Sequence, residues 1–115
     1  MAGRIHRITM FKLPVPEDQE KLIEAYKTLA KDQQKNGKPY ILSLNAGIAE
    51  KDQRSQGFTV VSKTEFASMA DMKYYDDECE AHAALKKYAK GTLTIEGGPT
   101  GVLTVFFEAK ATSSL

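Results

Sequence analysis

Two kinds of hydrophobic period run through this chain of 115 residues, and together they predict an α+β fold. Four segments alternate at period two, the mark of half-buried strands. Two longer stretches between them repeat at helical spacing. Their order is β-α-β-β-α-β, with one short helix added before the second long one.

Residues 4–13 form the first predicted strand. Ile5, Arg7, Thr9 and Phe11 alternate with His6, Ile8 and Met10. The second set is the more apolar apart from His6, so it is expected to face the core. Pro14 and Pro16 end the strand and open a helix, where proline is tolerated in the first turn. Glu17 and Asp18 suit the positive helix end. Leu22, Tyr26, Leu29 and Gln33 share one helix face, and Asn36-Gly37 is the expected stop.

Residues 39–48 read as the second strand, with Tyr40, Leu42, Leu44, Ala46 and Ile48 alternating. Residues 50–57 are polar and turn-like. Residues 58–66 read as the third strand, with Phe58, Val60, Ser62, Thr64 and Phe66 on one side. Ser68 is the expected N-cap of a short helix over residues 68–75, with Asp71 at the capping-box position. Asp77 and Glu80 have the same spacing and predict the start of the next helix. Lys86, Lys87 and Lys90 complement its negative end, and Gly91 is its expected stop. Residues 92–95 suggest a brief strand before a Gly-Gly-Pro loop. Residues 102–109 form the last strand. One domain over residues 4–109 is expected, with residues 110–115 as a flexible tail.

This order is the ferredoxin-like pattern, an antiparallel sheet with helices on one face. The other sheet face is then open. Its expected residues mix Ile5, Phe11 and Val61 with Arg7, Thr9, Lys63 and Glu65. A bare face of that character is a liability in a monomer. A two-fold homodimer with this face buried is therefore expected.

Composition excludes several classes. Lys+Arg number 16 against 15 Asp+Glu, a net charge of +1. That leaves no basic footprint for nucleic acid. The longest uncharged stretches, residues 39–49 and 97–107, fall well short of the ~20 residues of a membrane helix. No apolar leader follows Met1, so no membrane partner is expected. A single cysteine, Cys79, excludes an internal disulfide framework and fits a reducing, cytoplasmic setting. Ser113-Ser114-Leu115 differs from a peroxisomal Ser-Lys-Leu only in its middle residue. The run from Gly97 to Gly101 lacks the Lys-Ser/Thr of a phosphate loop and is read as a turn.

Candidate chemistry rests on few residues. His6 lies on the strand face assigned to the core, and a hydrogen-bonded core histidine is its plainer role. His82 lies on the last helix with Leu85 and Ala89, and so points toward the sheet. Two imidazoles meeting across the helix–sheet layer suit general acid–base work. Tyr26 is the phenol on the buried stripe of the first helix. Tyr74 and Tyr75 end the short helix. Each is either a core aromatic or a donor aimed at a substrate oxygen. The acids from Asp76 to Glu80 are explained by capping and the helix dipole, so no metal site is assigned. Cys79 and His82 have the spacing of a Cys–His pair, but a lone thiol there is first a small apolar filler.

Several segments resemble the stress-responsive dimeric α/β barrel (Dabb) family. Ile5-His6-Arg7-Ile8-Thr9-Met10-Phe11-Lys12 resembles its opening strand. Gly57-Phe58-Thr59-Val60-Val61, then Thr64-Glu65-Phe66 and Ser68, resemble its third strand and following helix. Tyr75 followed by Glu80-Ala81-His82 resembles the tyrosine and histidine before its last helix. The acidic insert and the Gly-Gly-Pro loop resemble fungal members. The resemblance implies a ferredoxin-like protomer whose sheet pairs into a barrel across a two-fold axis. Plant members include stress-responsive proteins and a polyketide cyclase that performs a cofactor-free intramolecular aldol closure. Its histidines and tyrosines fall on His6, Tyr26, Tyr75 (or Tyr74) and His82. The spacing from Tyr75 to His82 is one residue longer here.

Three functions follow as expectations. The first is an acid–base enzyme of polyketide cyclase-like type, acting on a small apolar or polyketide-like ligand without a cofactor. The second is a non-enzymatic dimeric stress-related or ligand-binding protein. The third is a monooxygenase on the same barrel, with heme or without a cofactor.

Overall fold

The computed structural model describes residues 3–113. Ser114 and Leu115, the end of the expected tail and of the Ser-Ser-Leu sequence, lie outside the described residues. Strand β1 (Ile5–Phe11) leads into helix α1 (Pro16–Asp32), followed by β2 (Ser43–Ile48) and β3 (Val60–Phe66). Helices α2 (Met69–Asp77) and α3 (Glu80–Thr92) precede β4 (Val102–Glu108). The strands form one antiparallel sheet in the order β2-β3-β1-β4. This is the ferredoxin-like α+β fold. No helix among the described residues is long and apolar enough to cross a membrane.

The expected boundaries shift where side chains take over backbone groups. α1 ends at Asp32, before Asn36-Gly37, because Gln33 turns extended. The Gln33 amide oxygen then accepts the N–H groups of Tyr40 and Ile41 at 3.0 and 3.1 Å. That occupies residues 40–41, and β2 starts only at Ser43. Asn36 and Gly37 do adopt positive φ, in the turn joining Lys35 to Lys38.

The second capping box does not form. α2 continues through Asp77, because the Tyr74 carbonyl accepts from both Glu78 and Cys79 at 2.8 Å. Cys79 becomes the N-cap of α3, without a side-chain cap bond. The Ser68 cap does form, its hydroxyl accepting from the Asp71 N–H at 3.2 Å. Nor does Gly91 stop α3. The apolar stripe of Leu85 and Ala89 continues to buried Leu93, and the helix persists to Thr92. No strand forms over residues 92–95. Instead the Asp18 carboxylate accepts the Thr94 N–H at 2.9 Å, and the Lys12 carbonyl accepts the Glu96 N–H at 2.9 Å.

The main correction concerns β1. Ile5, Arg7, Thr9 and Phe11 are its buried set, facing the helices. His6, Ile8 and Met10 face the open side, with Phe107, Val105 and Leu103 of β4 directly opposite. The more apolar set therefore lies outside. The inner set tolerates Arg7 and Thr9 because the layer between β1, β4 and α3 holds a cavity rather than packed core. On β3 the inner residues are Val60, Ser62, Thr64 and Phe66, as the alternation predicts. The core gathers Leu22, Tyr26 and Leu29 of α1 with Phe66, Met72, Tyr75 and Leu85.

Candidate functional site

The cavity holds about 600 Å³, within the range of small-molecule sites. It lies between α3, the inner faces of β1 and β4, and the 3₁₀ turn Gly98–Gly101. Phe11, Leu85, Ala89, Leu93, Ile95 and Val102 form its apolar walls. Its polar groups are Arg7, Thr9, Tyr26, His82 and Thr104, with Lys86 and Lys90 on α3.

His82 arrives there because α3 presents it on the same stripe as Leu85 and Ala89. Its ring stacks on Tyr75 at 3.7 Å between centroids, 10° from parallel. Its Nδ1 lies 2.8 Å from the Tyr75 carbonyl oxygen. A carbonyl only accepts, so Nδ1 carries the proton and Nε2 keeps its lone pair. Burial lowers the imidazole pKa to about 3; the carbonyl bond opposes this, and the charges of Arg7 and Lys86 add to it. The ring is therefore neutral at physiological pH, with Nε2 as a proton acceptor.

Tyr26 reaches the cavity from the buried stripe of α1. Its hydroxyl accepts from the Ser62 hydroxyl at 3.0 Å, which leaves its own proton to donate. Burial raises its pKa, against the Ser62 bond and the Arg7 charge, so it remains a phenol.

Arg7 is the cation at the inner wall. Its Nη1 donates to Thr9 Oγ1 at 2.9 Å, and Nη2 lies 2.8 Å from Asp76 Oδ1. Its guanidinium carbon sits 5.1 Å from the Tyr75 ring centre. Thr9 and Thr104 hydroxyls meet at 2.9 Å across the β1–β4 pair.

Of the four residues singled out from sequence, His82 and Tyr26 line the cavity. Tyr75 is fully buried behind His82 and lines no part of it. Tyr74 lies on the surface side, its hydroxyl donating to the Gln34 carbonyl at 3.2 Å. His6 does not join this group. It lies on the opposite face of the sheet, stacked on Phe107 at 5.1 Å and 3.4 Å from Glu65. Cys79 is packed in the core. Sequence reasoning missed Arg7, Thr9 and Thr104. The available signal was that Arg7 and Thr9 share an alternation with Ile5 and Phe11, both large and apolar.

The sequence pattern of the Stress responsive A/B Barrel Domain matches residues 5–95. The chain belongs to this family. β4 lies beyond the matched span yet pairs along the whole of β1. A relative from Gibberella zeae, the Fusaristatin A biosynthesis cluster protein, is 53% identical over 112 residues. The alignment covers 97% of this chain and 78% of that protein. Among solved structures, the hydroxynitrile lyase of Passiflora edulis superposes with a TM-score of 0.73 at 13% identity, covering 99% of this chain and all of the other. A dimeric ferredoxin-like protein of unknown function from Jannaschia sp. CCS1 gives 0.72 at 17% identity, covering 93% of this chain and all of that one. At such identities the superpositions show the A/B barrel protomer fold and nothing finer.

Proposed function

We propose that this A/B barrel protein is a cofactor-independent acid–base enzyme of polyketide cyclase-like type. The observation that carries this reading is His82, a neutral imidazole whose Nδ1 is committed to Tyr75 and whose ring lines the cavity. Its Nε2 accepts a proton from a methylene flanked by two carbonyls. The C–H electron pair becomes an enolate, whose carbon attacks a third, more distant carbonyl of the same substrate molecule. The imidazolium returns the proton to the new alkoxide, so the addition is an isomerisation. Tyr26 and Arg7 donate to the oxygens on which charge develops.

Magnitudes divide the work between these groups. A base is most effective with a pKa near the working pH, and His82 lies well below it. Its contribution belongs at the lower end of the ~10²–10⁴-fold range. Oriented oxyanion donors are worth ~10²–10³ each, so they carry at least as much of the rate. The biosynthesis-cluster relative supports a role in small-molecule assembly. The single buried cysteine suits a reducing, cytoplasmic setting.

The same reading includes a homodimer. The open sheet face exposes Leu103, Val105 and Phe107, and the Jannaschia relative is dimeric. The expected composition of that face is corrected: it holds His6, Ile8 and Met10, not Ile5, Arg7, Thr9 and Phe11. A non-enzymatic ligand-binding role is the second reading, favoured by the low basicity of His82. Turnover of β-dicarbonyl polyketide analogues by the wild type and His82→Gln decides between them. Loss of at least tenfold in kcat supports the enzyme. No turnover in the wild type, or equal turnover in both, leaves the binding role.

A further inference from the structure

The cavity lining holds more donors than acceptors, with His82 Nε2 as its free side-chain acceptor. Arg7, Lys86 and Lys90 bring three positive charges to its lining, and none of the described lining residues is Asp or Glu. Asp76 offsets one charge by pairing with Arg7, but it does not itself line the cavity. The guanidinium has five N–H groups, and its described partners are Thr9 and Asp76 alone. The threonine pair adds to the surplus. Thr9 Oγ1 accepts from Arg7 and shares one proton with Thr104, so whichever hydroxyl donates, the other keeps a proton free. Tyr26 holds a further free O–H proton.

A site of this kind is matched by a ligand with several acceptor oxygens and a negative charge. The apolar wall from Leu85 through Ala89 to Leu93 requires that the rest of the ligand be hydrocarbon. We infer that the cavity takes an amphipathic carboxylate, its head group held by Arg7, Thr9 and Thr104 and its tail laid along α3. This deepens the proposed function and shares its site, but the head-group preference is a property of binding. A resting carboxylate carries its full charge before any reaction, so its preference over an alcohol is read from binding alone, with or without turnover.

The test is calorimetric titration of the whole protein at pH 7.5 with 4-phenylbutyrate and with 4-phenylbutan-1-ol. The carboxylate is expected to bind at least tenfold tighter. Arg7→Gln is expected to abolish that ratio, and Arg7→Lys to restore part of it. Should Arg7→Gln fail to fold, Thr104→Val on the exposed edge strand is the second variant, expected to lower the ratio about threefold. Equal binding of the two probes overturns the inference, as does binding of neither at millimolar concentration, or a ratio unchanged in the Arg7 and Thr104 variants. His6→Gln, on the opposite face of the sheet, is expected to keep the ratio. A protein without turnover that still prefers the carboxylate would overturn the proposed function and leave this inference standing.

Discussion

Tyr75 holds His82 in two ways at once: its ring stacks on the imidazole at 3.7 Å, and its carbonyl accepts a hydrogen bond from Nδ1 at 2.8 Å. The first contact fixes the plane of the ring and the second fixes its tautomer. The tyrosine hydroxyl takes no part; it is buried and has no partner among the described residues. Tyr75 is thus a positioning residue, and its phenol is not aimed at the cavity.

This arrangement predicts a pH dependence of stability. Folded His82 has its pKa lowered from 6.5 to about 3. Between these values the unfolded chain binds the extra proton and the folded one does not, so stability rises with pH. The contribution is complete above pH 6.5 and falls by up to about 1.4 kcal/mol per unit as pH drops toward 3. Urea unfolding of wild type and His82→Gln at pH 7, 5.5 and 4.5 checks this. The variant should lose less stability than the wild type on acidification; equal losses would contradict a buried neutral imidazole.

Tyr26→Phe separates packing from hydrogen bonding. The ring still fills its place against Phe11, but the Ser62 hydroxyl loses its acceptor in a buried setting. A loss of about 1–2 kcal/mol is expected from denaturant midpoints. Adding Ser62→Ala should recover part of it, since removing both partners leaves no unsatisfied group. No recovery would mean that the pair is not the source of the loss.

Much of this fold is legible in the sequence, and the failures have physical reasons. The inner face of β3 reads correctly, with Val60, Ser62, Thr64 and Phe66 buried, although the strand starts at Val60 and leaves Phe58 outside it. β1 is inverted by the rule that the more apolar set lies inside. Arg7 and Thr9 are inside because they line a cavity, and Ile8 and Met10 are outside on the face assigned to a second copy. Period two gives the two faces of β1 but not which one meets the helices. His82 and Tyr26 are legible because helical stripes with several large apolar members have a single inward direction. His6 fails with its strand. The Asp77 cap fails because one carbonyl, that of Tyr74, accepts two N–H groups, which no local spacing encodes.

His6 offers a test of that inversion. It lies across the sheet from the cavity, against Phe107 and Glu65. His6→Gln should therefore leave the carboxylate-to-alcohol binding ratio within twofold of wild type. A collapse of that ratio would place the imidazole with His82 after all.

The open face gives a further prediction. Val105 is 49% exposed, between Leu103 and Phe107 on the edge strand. Light scattering of the wild type should give the mass of two chains. Val105→Lys should give one, because a desolvated, unpaired ammonium at an interface is costly. Its folding should be little changed, since a lysine there is solvated in the single chain. A wild-type mass of one chain would remove the dimer from the proposed function.

Two glycines, one within α3 and one in the turn before β4, should respond oppositely to alanine. A methyl group on Gly101 would run into the Glu96 carbonyl and the Ile95 side chain, at the point where the Lys12 N–H donates to the Gly101 carbonyl at 2.7 Å. Backbone cannot yield as a long side chain can, so Gly101→Ala should cost about 1–3 kcal/mol. It should also displace the turn carrying Gly98 and Pro99, and so weaken carboxylate binding. Gly91 instead lies within α3 with open space where its methyl would be. Gly91→Ala should raise stability by about 0.4–1 kcal/mol, through helix propensity and a less disordered unfolded chain. Thermal melts of the two variants beside the wild type should bracket it. A Gly101→Ala melt at or above the wild-type value would mean that the Glu96–Gly101 approach is looser than described.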